Sequence, residues 1–148
     1  MTQPEFIHLR VHSAYSMSEG AVHLKDLVQR TAAAGLPAVA VTDTANLFGA
    51  LEFALTAADA GVQPVVGTLL PMLEPGGKSV AYLPAYAQSE AGYLNLMSLI
   101  SQAFLESGDE GEPKLTWDDL DGRSDGLIAF TGGHDGPLGK LMLAGQQK

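Results

Sequence analysis

An α/β fold, with mainly parallel strands alternating with helices, is the architecture this sequence predicts. The first observation is a repeated plan. FIHLRVHSAYSM (6–17), AVAVTD (38–43), PVVGTLL (64–70) and GLIAFTGG (126–133) are apolar runs that end in polar or glycine-rich residues. The second is that helix-like sequence follows most of them, the alternation expected of a parallel sheet or barrel. The third is the unbroken apolar character of AVAVTD, which suits a strand buried on both faces. Such a chain gathers its strand ends on one face, where a site would be built.

The elements follow in order. The first run delivers a histidine, His12, to a strand end. Ser18-Glu19-Gly20 suits a helix start, and AVHLKDLVQRTAAAG then places Leu24, Leu27 and Val28 on one face before Gly35 and Pro37 stop the helix. After AVAVTD comes a loop at Thr44-Ala45-Asn46, then a helix over LFGALEFALTAADAG. A third strand runs from Val62 or Pro64 to about Leu73, and EPGGK (74–78) reads as a hairpin turn. SVAYLPAYA returns as a strand in which Pro84 favours an edge or a bulge. The next helix, EAGYLNLMSLISQAFLE, carries Tyr93, Leu96, Met97, Ile100 and Phe104 as a core-facing stripe. SGDEGEP (107–113) is an acidic loop, LTWDDL a short helical turn whose Trp117 packs down, GLIAFTGG a strand, and GPLGKLMLAG a last helix.

Composition narrows the function classes. Hydrophobic residues make up 46% and charged ones 17%, which is globular and not disordered. No apolar run reaches the roughly 18–20 residues of a membrane helix, so no membrane partner is expected. The start, MTQPEFIH, lacks a signal-peptide pattern, and the absence of cysteine excludes disulfides and thiolate metal sites; both fit a cytoplasmic protein. With 8 Lys plus Arg against 17 Asp plus Glu, a net charge of -9, the segment is a poor clamp for DNA by itself. A complete βα barrel takes about 250 residues, so this chain is expected to be one domain, 1–148, forming the first part of something longer.

Several residues could carry chemistry. His12 could be a ligand, a base or a satisfied strand-end histidine. His134, after a strand end and two glycines, could face the same cleft or be a loop histidine. His8 reads as locally hydrogen-bonded and His23 as solvated on a helix. Gly132-Gly133 could cradle a phosphate, but GxGxxG and Walker patterns are absent and a tight turn explains the pair. No Ser-His-Asp or Cys-His arrangement follows from spacing.

FIHLRVHSAYSMSEGA, AVAVTDTANLFGALEF, GVQPVVG and SEAGYLNLMSLISQAF together resemble the amino-terminal PHP (polymerase and histidinol phosphatase) domain of bacterial replicative DNA polymerase III alpha subunits. The resemblance runs from Phe6 to about Gly145 and implies the first part of a distorted βα barrel. Metal-binding members carry His-x-His, Thr-Asp-His, Gly-Cys-Glu or similar and a later His at successive strand ends, holding two or three divalent ions for phosphoester hydrolysis.

This sequence departs from that pattern. Arg10-Val11-His12 keeps one His of the first pair, and Thr42-Asp43-Thr44 keeps the Asp and replaces the His. Gly67-Thr68-Leu69 has Leu in place of the acid, Tyr82 falls about where the later His belongs, and Glu19 keeps an acid. His12, Asp43 and Glu19 are thus vestigial ligands, with Arg10, Thr44, Leu69 and Tyr82 as replacements lining the cleft. Arg10 is expected to pair with Asp43 first and Glu19 second, filling the metal's place. A catalytic zinc site needs about three protein ligands, so no metal or cofactor is expected here. The resemblance places magnesium in the polymerase active site of a longer parent, outside this chain.

Three functions compete. The first is a non-catalytic structural and docking domain of a replicative polymerase. The resemblance gives it the proofreading exonuclease subunit and the rest of the alpha chain as partners, and DNA through the parent enzyme. The second is an active metal-dependent phosphoesterase or 3′–5′ exonuclease. The third is a stand-alone barrel fragment that binds a small phosphorylated ligand.

Overall fold

The computed structural model describes residues 6–74, 79–107 and 111–145. The main elements are α1 (Leu24–Ala33), β1 (Ala38–Thr44), α2 (Ala50–Asp59), β2 (Gln63–Leu73), β3 (Val80–Ala87), α3 (Glu90–Leu105), β4 (Leu127–Ala129) and α4 (Pro137–Leu143). The strands form one sheet in the order β1-β2-β3-β4. β1 and β2 pair parallel across the α2 crossover, while β2–β3 and β3–β4 pair antiparallel. The α/β class holds, as a mixed sheet. The short connection between β2 and β3 allows only an antiparallel pair, whereas β4 returns antiparallel to β3 after the long segment that contains α3. The hairpin turn expected at 74–78 lies largely outside the described residues, but Glu74 N–H donates to Ser79 O at 2.9 Å where the two strands meet.

The first predicted strand is not a regular strand. Residues 6–12 run beside β1, with Ala40 N–H donating to His8 O (2.9 Å) and Thr42 N–H to Val11 O (2.8 Å). Donors two residues apart meet acceptors three apart, and the extra residue breaks the ladder as a bulge does. Pro84 also differs from expectation, because β3 is an interior strand. Phe130 N–H donates to Pro84 O at 2.9 Å. Proline cannot return the reciprocal bond, and the β3–β4 ladder stops at Ala85 and Ala129.

Helices cover one face of the sheet. Leu24 and Val28 of α1, Val39 and Val41 of β1, and Phe53 and Ala57 of α2 make one core. Leu70, Met72, Ala85 and Leu115 pack with Leu96, Leu99 and Ala103 of α3 in a second. The buried face of α3 is therefore Gly92, Leu96, Leu99 and Ala103, whereas Met97 and Phe104 of the predicted stripe are exposed. A helix apolar nearly all round does not reveal its inner side by spacing. Close contact at Gly92 decides it: a Cβ there would lie 1.9 Å from Gly126 O. Trp117 does not pack down either, being 44% exposed. Leu115 takes the buried place, donating to Pro71 O and accepting from Leu73 N–H, both at 2.7 Å.

The opposite, inner face of the sheet follows from strand alternation and register. It carries Thr42 and Thr44 of β1, Gly67 and Leu69 of β2, and Tyr82 and Tyr86 of β3. The sheet curls around this face. Tyr86 reaches across it, its hydroxyl donating to Leu9 O at 2.7 Å. Gly67 makes the crossing possible, since a Cβ there would lie 2.7 Å from the Tyr86 ring.

Candidate functional site

Asp43 and Thr44 close β1 and point to opposite faces. Asp43 shares the helix side with Val41 and Phe53, and is 2% exposed. Its carboxylate is held by the loop that follows residues 6–12. Ser13 N–H donates to Oδ1 (2.7 Å), Ser13 Oγ to Oδ2 (2.7 Å) and Ser16 Oγ to Oδ1 (2.6 Å). Thr68, opposite Asp43 in the register, donates its hydroxyl to Asp43 O at 2.8 Å. Asp43 is thus a clamp on the 13–16 loop rather than a group aimed into the cleft.

Thr44 lies on the inner side, paired in register with the buried Leu69. Its hydroxyl donates to Glu19 Oε2. His12 Nδ1 stands 3.5 Å from Glu19 Oε2 and 3.3 Å from Ser16 Oγ. The Ser16 hydroxyl proton is committed to Asp43. Its oxygen therefore accepts from the Thr44 amide at 3.1 Å and from His12, which puts the imidazole proton on Nδ1. Tyr82 completes the cluster. Burial pushes its phenol pKa up, and the charges of Glu19 and then Glu112 add to the rise.

The predicted pairing of Arg10 with Asp43 or Glu19 is not formed. Arg10 Nη1 instead donates to Gly132 O at 3.4 Å, at the surface. Backbone parity turns Asp43 away from the cleft, and three donors already satisfy its carboxylate, so no partner is left for Arg10 to supply. Among the described residues every buried side-chain nitrogen or oxygen has a hydrogen-bond partner.

The fold thus gathers His12, Glu19 and Thr44 in one contact network, places Tyr82 within reach of Glu19's charge, sets Leu69 beneath and holds Asp43 behind. Arg10 stands apart, with Leu9, Tyr86 and Phe130 along a separate groove of about 360 Å³. His134 sits on an exposed turn beside Asp135, 3.1 Å away, and His23 is the exposed residue preceding α1. His8 meets the Phe6 ring edge-on at 4.8 Å. Among the described residues, no three His, Cys, Asp or Glu side chains converge as a metal ion would require. Sequence reasoning missed Ser13, Ser16 and Tyr86. The available signal for the serines was a pair of hydroxyl residues in the loop after an apolar run that adjoins a strand ending in Asp. Nothing local marks Tyr86 as a crossing residue.

A curled sheet with helices on one side and polar side chains collected at its strand ends defines a partial βα barrel. The sequence model of the PHP domain matches residues 8–148, and the chain belongs to that family. It is 44% identical over 147 residues to the DNA polymerase III subunit alpha of Caulobacter vibrioides, covering 95% of this chain and 13% of that protein. It is 38% identical to the subunits of the same name from Vibrio cholerae and Escherichia coli, covering 100% and 98% of this chain. The chain spans 13% of the length of each of these relatives. Two solved structures share the fold. A Bifidobacterium adolescentis protein assigned as a metal-dependent phosphoesterase matches 99% of this chain and 53% of its own, with TM-score 0.53 and 16% identity. An amidohydrolase from Chromobacterium violaceum matches 66% of this chain and 32% of its own, with TM-score 0.53 and 24% identity.

Proposed function

We propose that this chain is the amino-terminal part of a replicative DNA polymerase III alpha subunit, in which it serves as a non-catalytic bracing and docking module. The similarity to subunits of that name along nearly the whole chain supports the parent assignment. On this reading the parent is a cytoplasmic DNA-directed DNA polymerase whose magnesium ions lie outside this segment. Its proofreading exonuclease subunit and the remainder of the alpha chain are the partners. DNA meets the enzyme through the rest of the polypeptide, in keeping with the net charge of -9 here.

The loss of chemistry rests on one observation above others, the engagement of Asp43 by three donors on the helix side of β1. There its carboxylate is turned away from the cleft and is not offered to an ion in it. On the inner side, Thr44 and Leu69 offer a hydroxyl and a hydrocarbon where the family's ligands would be an imidazole and a carboxylate. The donors that remain, His12 and Glu19, fall short of the roughly three a catalytic centre uses. The residues present do not fit a multi-metal centre.

Elemental analysis of the purified chain after dialysis against metal-free buffer tests this reading, with zinc and manganese expected well below one ion per chain. Stoichiometric metal with chelator-sensitive phosphoesterase activity would falsify it. The parent assignment is tested separately by the downstream reading frame, which is expected to encode the polymerase aspartates.

A further inference from the structure

A second feature lies outside the cleft, where the 13–16 loop meets the start of α2. The Tyr15 hydroxyl donates to Glu52 Oε2 at 2.9 Å. That bond, and then the charge of Glu52, push the Tyr15 phenol pKa up, so the proton stays on the phenol. Gly49 lets the ring lie close, since a Cβ there would come within 2.8 Å of both the Tyr15 ring and Leu24. Asn46 ties the loop to the turn before α2, donating to Tyr15 O and accepting from Phe48 N–H, both at 3.2 Å. Against this corner stands a pocket of about 350 Å³ lined by Ala14, Tyr15, Val22, His23, Leu24 and Glu52. Among the described residues Glu52 has no ion-pair partner, and its Oε1 accepts no hydrogen bond. Asp26, in the first turn of α1, offsets the positive end of that helix near the pocket. The outer face of α2 continues from here. Phe48, Leu51, Leu55 and Ala58 recur at helical spacing as one exposed apolar stripe, while Phe53 and Ala57 face the core. Glu52 and Asp59, both exposed, border the stripe on one side.

We infer that this surface docks an amphipathic helix from a separate subunit. The apolar side of that helix covers the α2 stripe, and one of its Arg or Lys side chains enters the pocket to pair with Glu52. This occupant rests on the parent and docking reading above. A helix is chosen because α2 offers side chains and no free strand edge. An extended segment gains no main-chain ladder there, whereas a helix packs its ridges along the stripe. The open carboxylate oxygen and the Tyr15 ring together suit a cation, through a charge-assisted bond and a cation–π contact. The acidic border and the net charge of -9 select a basic partner. A second copy of this chain would bring the same acids to the contact and pair there only weakly. The polypeptide that follows leaves from the far end of the sheet, since α2 packs on β1 and β2 whereas α4 follows β4.

Hydroxyl-radical footprinting of the longer polypeptide alone, and of the assembled polymerase with its subunits, tests this. Tyr15, Phe48, Leu51 and Leu55 are expected to react freely in the polypeptide alone and at least about fivefold more slowly in the assembly. Glu52→Arg is expected to raise the dissociation constant of the subunit that covers α2 at least about tenfold, and Glu52→Gln by less. Both variants are expected to fold, because Glu52 is exposed. Protection already complete in the polypeptide alone overturns the inference, since its own chain then covers α2. Protection elsewhere on residues 6–145, with α2 unchanged, overturns it and leaves the docking reading standing. No protection anywhere on these residues overturns both. Protection of α2 with a dissociation constant that Glu52→Arg leaves unchanged overturns the pairing in the pocket.

Discussion

At the scale of single residues, Asp43 holds the 13–16 loop against the end of β1. Its carboxylate holds one amide and two hydroxyls with almost no access to water. Asp43→Ala would leave those donors buried without an acceptor. Hydrogen bonds to a charged group contribute about 1.5–3 kcal/mol each, with non-additive sums. Asp43→Ala is therefore expected to destabilise the chain by about 3 kcal/mol or more in urea unfolding, and Asp43→Asn by less. A drop under about 0.5 kcal/mol would show that the clamp contributes little.

Asp119 offers a pH test at the same scale. The Thr116 hydroxyl, then the Thr116 amide, then Gln102 of α3 hold its carboxyl pKa below the ordinary 3.8. A depressed folded-state pKa contributes stability above the unfolded value and loses it as pH falls through the folded one. The stability gap between the native chain and Asp119→Asn is therefore expected to be full at pH 6 and to close as pH falls below about 4. A gap independent of pH would contradict the assignment.

At the scale of elements, Gly67 sets how closely Tyr86 crosses the sheet. At Gly67 a Cβ would come within 2.7 Å of both Ala85 O and the Tyr86 ring. Gly67→Ala should push Tyr86 off its contact with Leu9 and cost about 1–3 kcal/mol, since overpacking forces backbone or rotamer shifts. Tyr86→Phe removes the hydroxyl bond alone and should cost about 1 kcal/mol. Chemical denaturation of both variants separates crowding from the lost bond. If Gly67→Ala costs no more than Tyr86→Phe, the ring does not need the bare backbone beneath it.

At the scale of the whole molecule, the covered and uncovered surfaces do not balance. Phe48, Leu51 and Leu55 recur at helical spacing in and just before α2 and are 75%, 71% and 61% exposed. Leu94, Met97, Phe104 and Leu105 do the same on α3, with Leu105 at 82%. Contiguous apolar patches of this sort mark association surfaces. Light scattering of the 148-residue chain is expected to show a mass that rises with concentration. Leu51→Gln with Leu55→Gln should lower it without loss of helicity, because both side chains already face solvent. A monodisperse monomer at millimolar concentration would argue that these stripes are inert.

The alternation of strands and helices, the β1–β2 crossover, the burial of AVAVTD and the family were all legible in the sequence. Each depends on local periodicity, turn residues or motifs that neighbouring positions carry together. The bulged pairing of 6–12 was not legible, because it depends on how donors of β1 meet a second segment. Neither was the buried side of α3, which the close approach of Gly92 to Gly126 selects on a helix apolar all round. The candidate site divides the same way. Motif order named His12, Glu19, Asp43 and Thr44, and the fold brings them within one neighbourhood. Their roles were decided by tertiary structure alone. One step along β1 turns Asp43 toward Ser13 and Ser16 and Thr44 toward Glu19, while the curl of the sheet carries Arg10 away to Gly132. A sequence specifies which groups are present; the direction each one points is set by pairing and curvature, which only the assembled sheet supplies.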